Sequence, residues 1–249
     1  MELFLSFAAL CAFSLLPAGT PVLLRCGLSA CLRFSPRAAL ALSSVAALSA
    51  CMAMLLCRGG LRAVPPAQRS PAALAGLLGG TTGRMLLLLF TARFSGSLEL
   101  ARVQAIPLLL IALFIVLPSR PLLTGSRMGL FAFSLLCAAC DGFFGCGCMT
   151  LFVLFSACEI RRKPASVPGA ALLCSFTAQI CALLLTILSG AAQVFPPRTL
   201  ISLCAASALG GVIFEKMKKR SPLQKGLRMA LCVYMLLAAL AGVEQAFFI

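Results

Sequence analysis

Long apolar runs separated by short polar clusters restrict the fold of this chain more than any other feature. A helix that crosses the hydrocarbon core of a bilayer needs about 20 mostly apolar residues. The connections are too short to hold a soluble domain, so the sequence predicts an all-α integral membrane protein with about eight transmembrane helices. The candidate spans are 3–24, 37–57, 71–92, 103–118, 127–158, 166–192, 199–214 and 229–248.

The composition supports a membrane location and argues against a soluble protein. Hydrophobic residues make up 61% of the chain and charged residues 11%, whereas soluble proteins average about 25% charged residues. The net charge of +15 would suggest a nucleic-acid partner for a soluble protein, but the basic residues lie mainly between the spans. The predicted partner is therefore the lipid bilayer and not nucleic acid. The first run is interpreted as a retained span, because Glu2 is its only early charge and no basic residues precede it.

The Lys and Arg residues are unevenly distributed among the connections. The first, third, fifth and seventh connections hold fourteen of them, and the even-numbered connections hold six. Cytoplasmic connections are usually the more basic ones. This pattern predicts a multi-pass protein of the plasma membrane, in a bacterium the inner membrane, with the odd connections in the cytoplasm and both termini outside.

The two halves of the chain share short sequences in the same order. Leu10 to Gly19 resembles Leu136 to Gly145, and Leu78-Gly79-Gly80 resembles Leu209-Gly210-Gly211, at offsets of 126 and 131 residues. The shared order predicts two four-helix repeats in one membrane domain, residues 1–125 and 126–249. Eight complete crossings would make the repeats parallel, whereas a re-entrant segment in each half would change that relation.

The fifth apolar run, 127–158, is longer than one crossing requires. Its centre holds Gly142, Gly145 and Gly147, and glycine weakens a helix. Two prolines interrupt the corresponding place in the first half, around Gly19. Matching interruptions predict broken helices near Gly19 and Gly145, which is where duplicated transporters commonly bind their substrate.

The same stretch reads Asp-Gly-Phe-Phe-Gly-Cys-Gly at Asp141 to Gly147, followed by Thr150. This motif resembles the second-half signature of the sulfite exporter TauE/SafE family of bacterial permeases. The resemblance implies a multi-helix plasma-membrane carrier for small sulfur-containing or organic anions such as sulfite and sulfonates, mostly in the direction of export. The glycine run that members often carry in the first half is reduced here to Gly19.

Asp141 is the only aspartate of the chain and lies inside an apolar run. An ionisable residue in a span suggests function, because burying it is costly. Burial favours the neutral carboxyl group, so Asp141 could bind and release a proton during transport. The structural alternative is that Asp141 caps the broken helix by accepting hydrogen bonds from the next turn.

Arg84 is the one basic residue well inside a predicted span. Its guanidinium could hold an anion through charge-assisted, bidentate hydrogen bonds. Two structural alternatives are that it extends toward the membrane interface or that it pairs with Asp141.

The remaining polar candidates lie on the second and sixth spans. Ser43, Ser44, Ser175, Thr177 and Gln179 could bind an oxyanion or form hydrogen bonds between helices. The glycine pairs at 79–80 and 210–211 are interpreted as close helix contacts.

The predicted function is that of a secondary transporter, not an enzyme, for a small anionic substrate, with no cofactor and no bound metal. Histidine is absent, so a Ser/His/Asp set is excluded, and the lone aspartate excludes an aspartyl dyad. The alternatives are a non-transporting assembly or regulatory component of the same fold, and a soft-metal carrier that uses Cys140, Cys146 and Cys148. Association with a second copy of the chain stays open. The predicted substrate-binding residues are Asp141, Gly142, Gly145, Gly147, Gly19, Arg84, Ser43, Ser44, Ser175 and Gln179.

Overall fold

The computed structural model describes residues 36–93, 127–144, 169–190 and 195–217. These residues form α-helices joined by short turns, which confirms the all-α class for the described part of the chain. The predicted spans 3–24, 103–118 and 229–248 lie outside it, so the number of eight spans stays a prediction. The elements are α1 (Pro36–Cys57), a 3-10 helix (Gly60–Ala63), α2 (Pro66–Arg93), α3 (Arg127–Phe144), α4 (Gly169–Leu188) and α5 (Pro197–Met217).

Three of these helices are long and apolar enough to cross a bilayer. They include Leu40–Cys57 of α1 and the whole of α2 and α4. At a rise of about 1.5 Å per residue, a helix needs about 20 residues to cross the hydrocarbon core. The chain is therefore a membrane protein with transmembrane helices.

Prolines begin helices and glycines follow their ends. Pro36, Pro66 and Pro197 are the first residues of α1, α2 and α5, where the missing N–H of proline has no helical partner to lose. After α1, Gly59 and Gly60 have φ angles of +88° and +68°. This left-handed conformation strains other residues, so the two glycines fix the turn that leads into α2.

The glycines of α2 bring this helix into backbone contact with two neighbours. A Cβ added at Gly80 would lie 2.6 Å from the carbonyl oxygen of Ala178 in α4, and one added at Gly79 would lie 2.5 Å from that of Leu135 in α3. Gly76 shares the α4 contact and Gly83 the α3 contact. α2 therefore lies between α3 and α4, and the expectation that Gly79-Gly80 serves close packing is confirmed.

The helices α2, α3 and α4 run in the same direction. Along α2, Gly79 faces Leu135 and Gly83 faces Gly142, so the contacts advance together on α2 and α3. Between α3 and α4, the thiol of Cys174 donates to the carbonyl oxygen of Ser134 and the amide of Gln179 donates to Asp141, which again advance together.

The helices α1 and α5 are parallel to each other and opposite to the other three. Leu42 packs near Leu203 at the start of both helices, and Gly211 lies against Ala50 farther along. Leu40, near the start of α1, packs with Leu87 near the end of α2.

These directions correct the relation expected between the halves. By sequence offset, α1 corresponds to α4 and α2 to α5, yet both pairs are antiparallel, so the parallel relation expected from eight complete crossings is wrong for them. α3 and α4 share one direction, whereas consecutive complete crossings would alternate. Inverted repeats produce antiparallel pairs of this kind.

The helix directions also determine at which end of the bundle each connection lies. We call the end of the bundle where α1 ends and α2 begins the Arg58 end, and the opposite one the Arg93 end. The connection at 58–65 lies at the Arg58 end and that at 189–196 at the Arg93 end, so the assumption that even connections share one side is wrong. Among the described ranges, the Arg58 end carries Arg58, Arg62, Arg69, Arg127 and Lys216, and the Arg93 end carries Arg37, Arg93 and Arg198.

We predict that the Arg58 end faces the cytoplasm, because it is the more basic end. A short epitope inserted at Gly60 should be reached by antibody only in inside-out vesicles. The same epitope inserted at Gly190 should be reached only in right-side-out vesicles. Exposure of both epitopes on one side would contradict the helix directions described above.

We also predict that Gly80→Val destabilises the protein, because the added side chain meets the backbone of α4. Overpacking of this kind costs about 1–3 kcal/mol, which should appear as a lower unfolding temperature in detergent. Thr82→Val introduces the same residue at an exposed position two residues away and should leave that temperature nearly unchanged. Equal unfolding temperatures for the two variants would refute the backbone contact.

Candidate functional site

A buried carboxyl group joins α3 to α4 at the centre of the described helices. Asp141 lies in the last turn of α3, is 3% exposed, and its Oδ2 accepts a hydrogen bond of 2.6 Å from Nε2 of Gln179. Gln179 is near the middle of α4, as the eleventh of its twenty residues. The structure thus brings together two of the residues predicted from sequence. Asp141 lies inside α3, which continues to Phe144, so it does not cap the start of a helix, as one alternative proposed.

The Gln179 side chain is only partly satisfied. Its Nε2 donates to Asp141, while its Oε1 is buried and has no hydrogen-bond partner within the described residues. Buried polar atoms are nearly always paired. The unused Oε1 is an acceptor beside the carboxyl group.

The backbone of Arg84 lies against Gly142 of α3, and its side chain reaches Thr186 of α4. Its neighbour Gly83 is in backbone contact with Gly142, so α2 and α3 approach closely beside the Arg84 and Asp141 side chains. The opposite charges of Arg84 and Asp141 interact electrostatically. The ion pair formed between described residues is that of Arg58 with Glu215, so a direct pairing of Arg84 with Asp141 stays a prediction.

The Arg84 guanidinium is enclosed by protein. It is 4% exposed, so it does not extend to the membrane interface as one alternative proposed. Its Nε donates a hydrogen bond of 2.7 Å to Oγ1 of Thr186 in α4. Among the described residues, this bond from Nε is the hydrogen bond that fixes the guanidinium.

The site combines a buried cation with a buried acid. An isolated charge at this depth would be strongly unfavourable. A carboxylate at the end of α3 is also opposed by the helix dipole, whose negative pole lies there. The amide of Gln179 and the positive charge of Arg84 offset both effects when Asp141 is ionised.

A hydroxyl and several thiols extend the site toward α1. Cys51 of α1 is hydrogen-bonded to Ser175 of α4, and both Cys51 and Cys137 lie within electrostatic range of Asp141. The thiols of Cys51 and Cys137 are buried beside the carboxyl group, so they form part of its surroundings.

Other predicted residues have different positions. The hydroxyl of Ser43 donates to the carbonyl oxygen of Leu40 in its own helix, and Ser44 is buried in α1. Thr177 likewise bonds to its own helix, at Leu173 and Cys174. The structure places Gly142 in the contact with α2, and the three remaining candidates, Gly19, Gly145 and Gly147, lie outside the described residues.

The structure provides little for a soft-metal site in its described part. No group of three His, Cys, Asp or Glu side chains in those ranges could hold a metal ion. Cys140 is half-buried on α3, whereas Cys146 and Cys148 lie outside the described residues.

Thr186 is the site residue that sequence reasoning missed. It follows Gln179 by seven residues and Ser175 by eleven, spacings that keep all three on one face of α4. The Thr186 hydroxyl accepts from Arg84 and donates to the carbonyl oxygen of Ala182. A search of α4 for polar residues at helical spacing would have found it.

We predict that Gln179→Leu destabilises the protein, because Asp141 then loses a buried donor. Leaving a buried polar group unpaired costs about 1–3 kcal/mol, and more for a charged group. Thr177→Val, on the same helix, removes a hydroxyl that bonds only within α4 and should cost much less. Unfolding temperatures in detergent compare the two, and equal losses would contradict a special role for the Gln179 bond.

Comparisons of this chain with models of protein families, with curated proteins and with solved structures found no match.

Proposed function

We propose that this protein is a secondary transporter that moves a small anion across the plasma membrane by alternating access. One observation carries the proposal. Arg84 is a buried guanidinium that Thr186 holds through Nε, and it lies beside the Asp141 carboxyl group. A membrane protein rarely buries a cation without a function for it.

The chemistry of Arg84 fits an anionic substrate with more than one acceptor oxygen. The guanidinium fork donates two parallel hydrogen bonds to a carboxylate, sulfonate or similar group. Thr186 holds the guanidinium through Nε, so its position is fixed before a substrate arrives. Such preorganisation lowers the entropy cost of binding.

The pairing of Asp141 with Gln179 supports coupling to protons. When Asp141 is ionised, its Oδ2 accepts from Nε2 of Gln179. When Asp141 is protonated, its hydroxyl can donate to the unused Oε1 after the amide rotates. Both protonation states therefore have a hydrogen-bond partner, which suits a carboxyl group that gains and loses a proton during each cycle.

The depth of the site supports passage across the membrane. Gln179 lies at the middle of a helix of spanning length, and the glycine contacts of α2 hold the site between three parallel helices. Substrate sites of secondary transporters lie near the bilayer midplane between repeats. The resemblance of the Asp141 motif to the TauE/SafE signature favours sulfite, sulfonates or related organic anions as substrates.

The proposal is tested by measuring flux into proteoliposomes under an imposed pH gradient. The four anions compared are sulfite, a small sulfonate, acetate and sulfate. We expect protein-dependent flux of at least one of them. Arg84→Gln removes the charged donor, and since a charged hydrogen bond contributes about 1.5–3 kcal/mol, flux at low substrate should fall about tenfold or more. Asp141→Asn should abolish the dependence of flux on the pH gradient.

Arg69→Gln serves as the matched control, because Arg69 bonds to the carbonyl oxygen of Val64 at the edge of the bundle. Its flux should stay within about twofold of the unaltered protein, as expected for a surface residue. Absence of flux for all four anions, with the protein folded, would refute the proposal.

A further inference from the structure

The described helices contain the same glycine contact twice. Gly80 of α2 lies against the backbone of Ala178 in α4, and Gly211 of α5 lies against the backbone of Ala50 in α1. The positions differ by 131 residues between α2 and α5, and by 128 residues between α1 and α4. An approximate two-fold axis therefore exchanges the α2–α4 contact with the α5–α1 contact.

The same two offsets relate a second pair of contacts. Adding 131 to Arg84 gives Glu215, and subtracting 128 from Thr186 gives Arg58. Arg84 Nε donates to Thr186 Oγ1 over 2.7 Å, and Arg58 Nε donates to Glu215 Oε1 over 2.9 Å. Each contact therefore follows its glycine contact by one helical turn on the glycine-bearing helix.

These two polar contacts lie on opposite sides of the candidate site. Thr186 is seven residues beyond Gln179 toward the Arg93 end, and Arg58 is seven residues beyond Cys51 toward the Arg58 end. Gln179 and Cys51 are themselves related by the offset of 128. At about 1.5 Å per residue, Thr186 lies about 10 Å along α4 from Gln179, and Arg58 lies about 10 Å along α1 from Cys51.

The contacts differ in strength. Arg58 and Glu215 are mostly buried, and a second nitrogen of Arg58, Nη2, also contacts Oε1, so that a charge pair joins α1 to α5. Arg84 donates its hydrogen bond to the neutral hydroxyl of Thr186. A charge pair shielded from water is stronger than a bond to a neutral group, so the Arg58 end is held more firmly than the Arg93 end.

We propose that Arg58 and Glu215 close the path from the Asp141 site to the Arg58 end, and that the related contact of Arg84 and Thr186 closes the path to the Arg93 end. This inference rests on the proposed transport function and assigns the residues that control access to its site. Separation of α1 from α5 opens one path, and separation of α2 from α4 opens the other. The charge pair keeps the Arg58 end closed at rest.

The thiol of Cys51 reports on the first path, because it is buried and hydrogen-bonded to Ser175 beside the site. A membrane-impermeant maleimide is added to vesicles so that it meets the Arg58 end, and labelling of Cys51 is read by mass spectrometry of its peptide. We expect Glu215→Gln and Arg58→Gln each to raise the labelling rate about tenfold, the factor that corresponds to about 1.4 kcal/mol.

The exchanged pair, Arg58→Glu with Glu215→Arg, should return labelling to within about threefold of the unaltered protein, because the attraction is restored. Arg62→Gln is the control at an exposed residue of the same connection and should leave labelling unchanged. Arg58→Lys keeps the positive charge but lacks the planar guanidinium, so it should give an intermediate rate of Cys51 labelling. It replaces a neutral variant that does not fold.

Unchanged labelling in folded Glu215→Gln and Arg58→Lys protein would overturn the proposal. So would a rise that the exchanged pair does not reverse. Labelling of Cys51 requires no substrate, so it separates this proposal from anion transport. Anion flux together with unchanged Cys51 labelling in these variants would reject the closure alone. Raised and reversible Cys51 labelling without anion flux would support the closure and count against anion transport.

Discussion

The backbone contact of α2 with its two neighbours is the constraint on which the rest of the structure depends. Lipid is as apolar as the helix surfaces, so helices in a bilayer associate through close packing and hydrogen bonds and not through the hydrophobic effect. The glycines at 76 and 80 face α4, and those at 79 and 83 face α3. Because both stripes lie on one helix, α2 fixes the spacing and the register of three parallel helices at once.

Close packing also determines the electrostatics of the site. Gly83 and Gly142 let α2 and α3 approach until Arg84 and Asp141 interact, although each belongs to a different helix. A larger residue at either glycine would separate the two charges and leave each one buried alone, at a cost of several kcal/mol. The small residues and the ionisable residues of this bundle therefore depend on one another.

Much of the local structure follows from sequence, whereas the topology does not. Gly79, Gly80 and Gly211 make the close helix contacts expected of them, and two of the predicted site residues, Asp141 and Gln179, lie together. These features depend on a few neighbouring residues. The direction of each helix depends instead on how often the intervening chain crosses the membrane, and the long run at 127–158 is compatible with one crossing or with two. That ambiguity reversed the relation between the halves and the sides of the connections.

Thr186 was missed because a threonine in an apolar helix usually bonds only to its own backbone, and its role as an acceptor for Arg84 exists only once α2 and α4 are paired.

The opposite directions of corresponding helices give the two ends of the bundle related contacts that need not be equal. In parallel repeats, corresponding residues lie at the same depth and would meet at the same side of the membrane. Here Arg84 and Glu215 correspond in sequence but lie toward opposite ends of the bundle. Arg84 bonds to α4 and Glu215 bonds to α1, and these two helices also correspond. Two sequence differences, Glu215 in place of Arg84 and Arg58 in place of Thr186, then make one contact a charge pair and leave the other a bond to a neutral hydroxyl. Under the proposed closure, this asymmetry favours a resting state in which the Arg58 end is closed. A buried anion bound near Arg84 would shift that balance. It would replace the weaker contact of Arg84 with Thr186 by a charged contact, and the Arg58–Glu215 pair would then be the contact that must break.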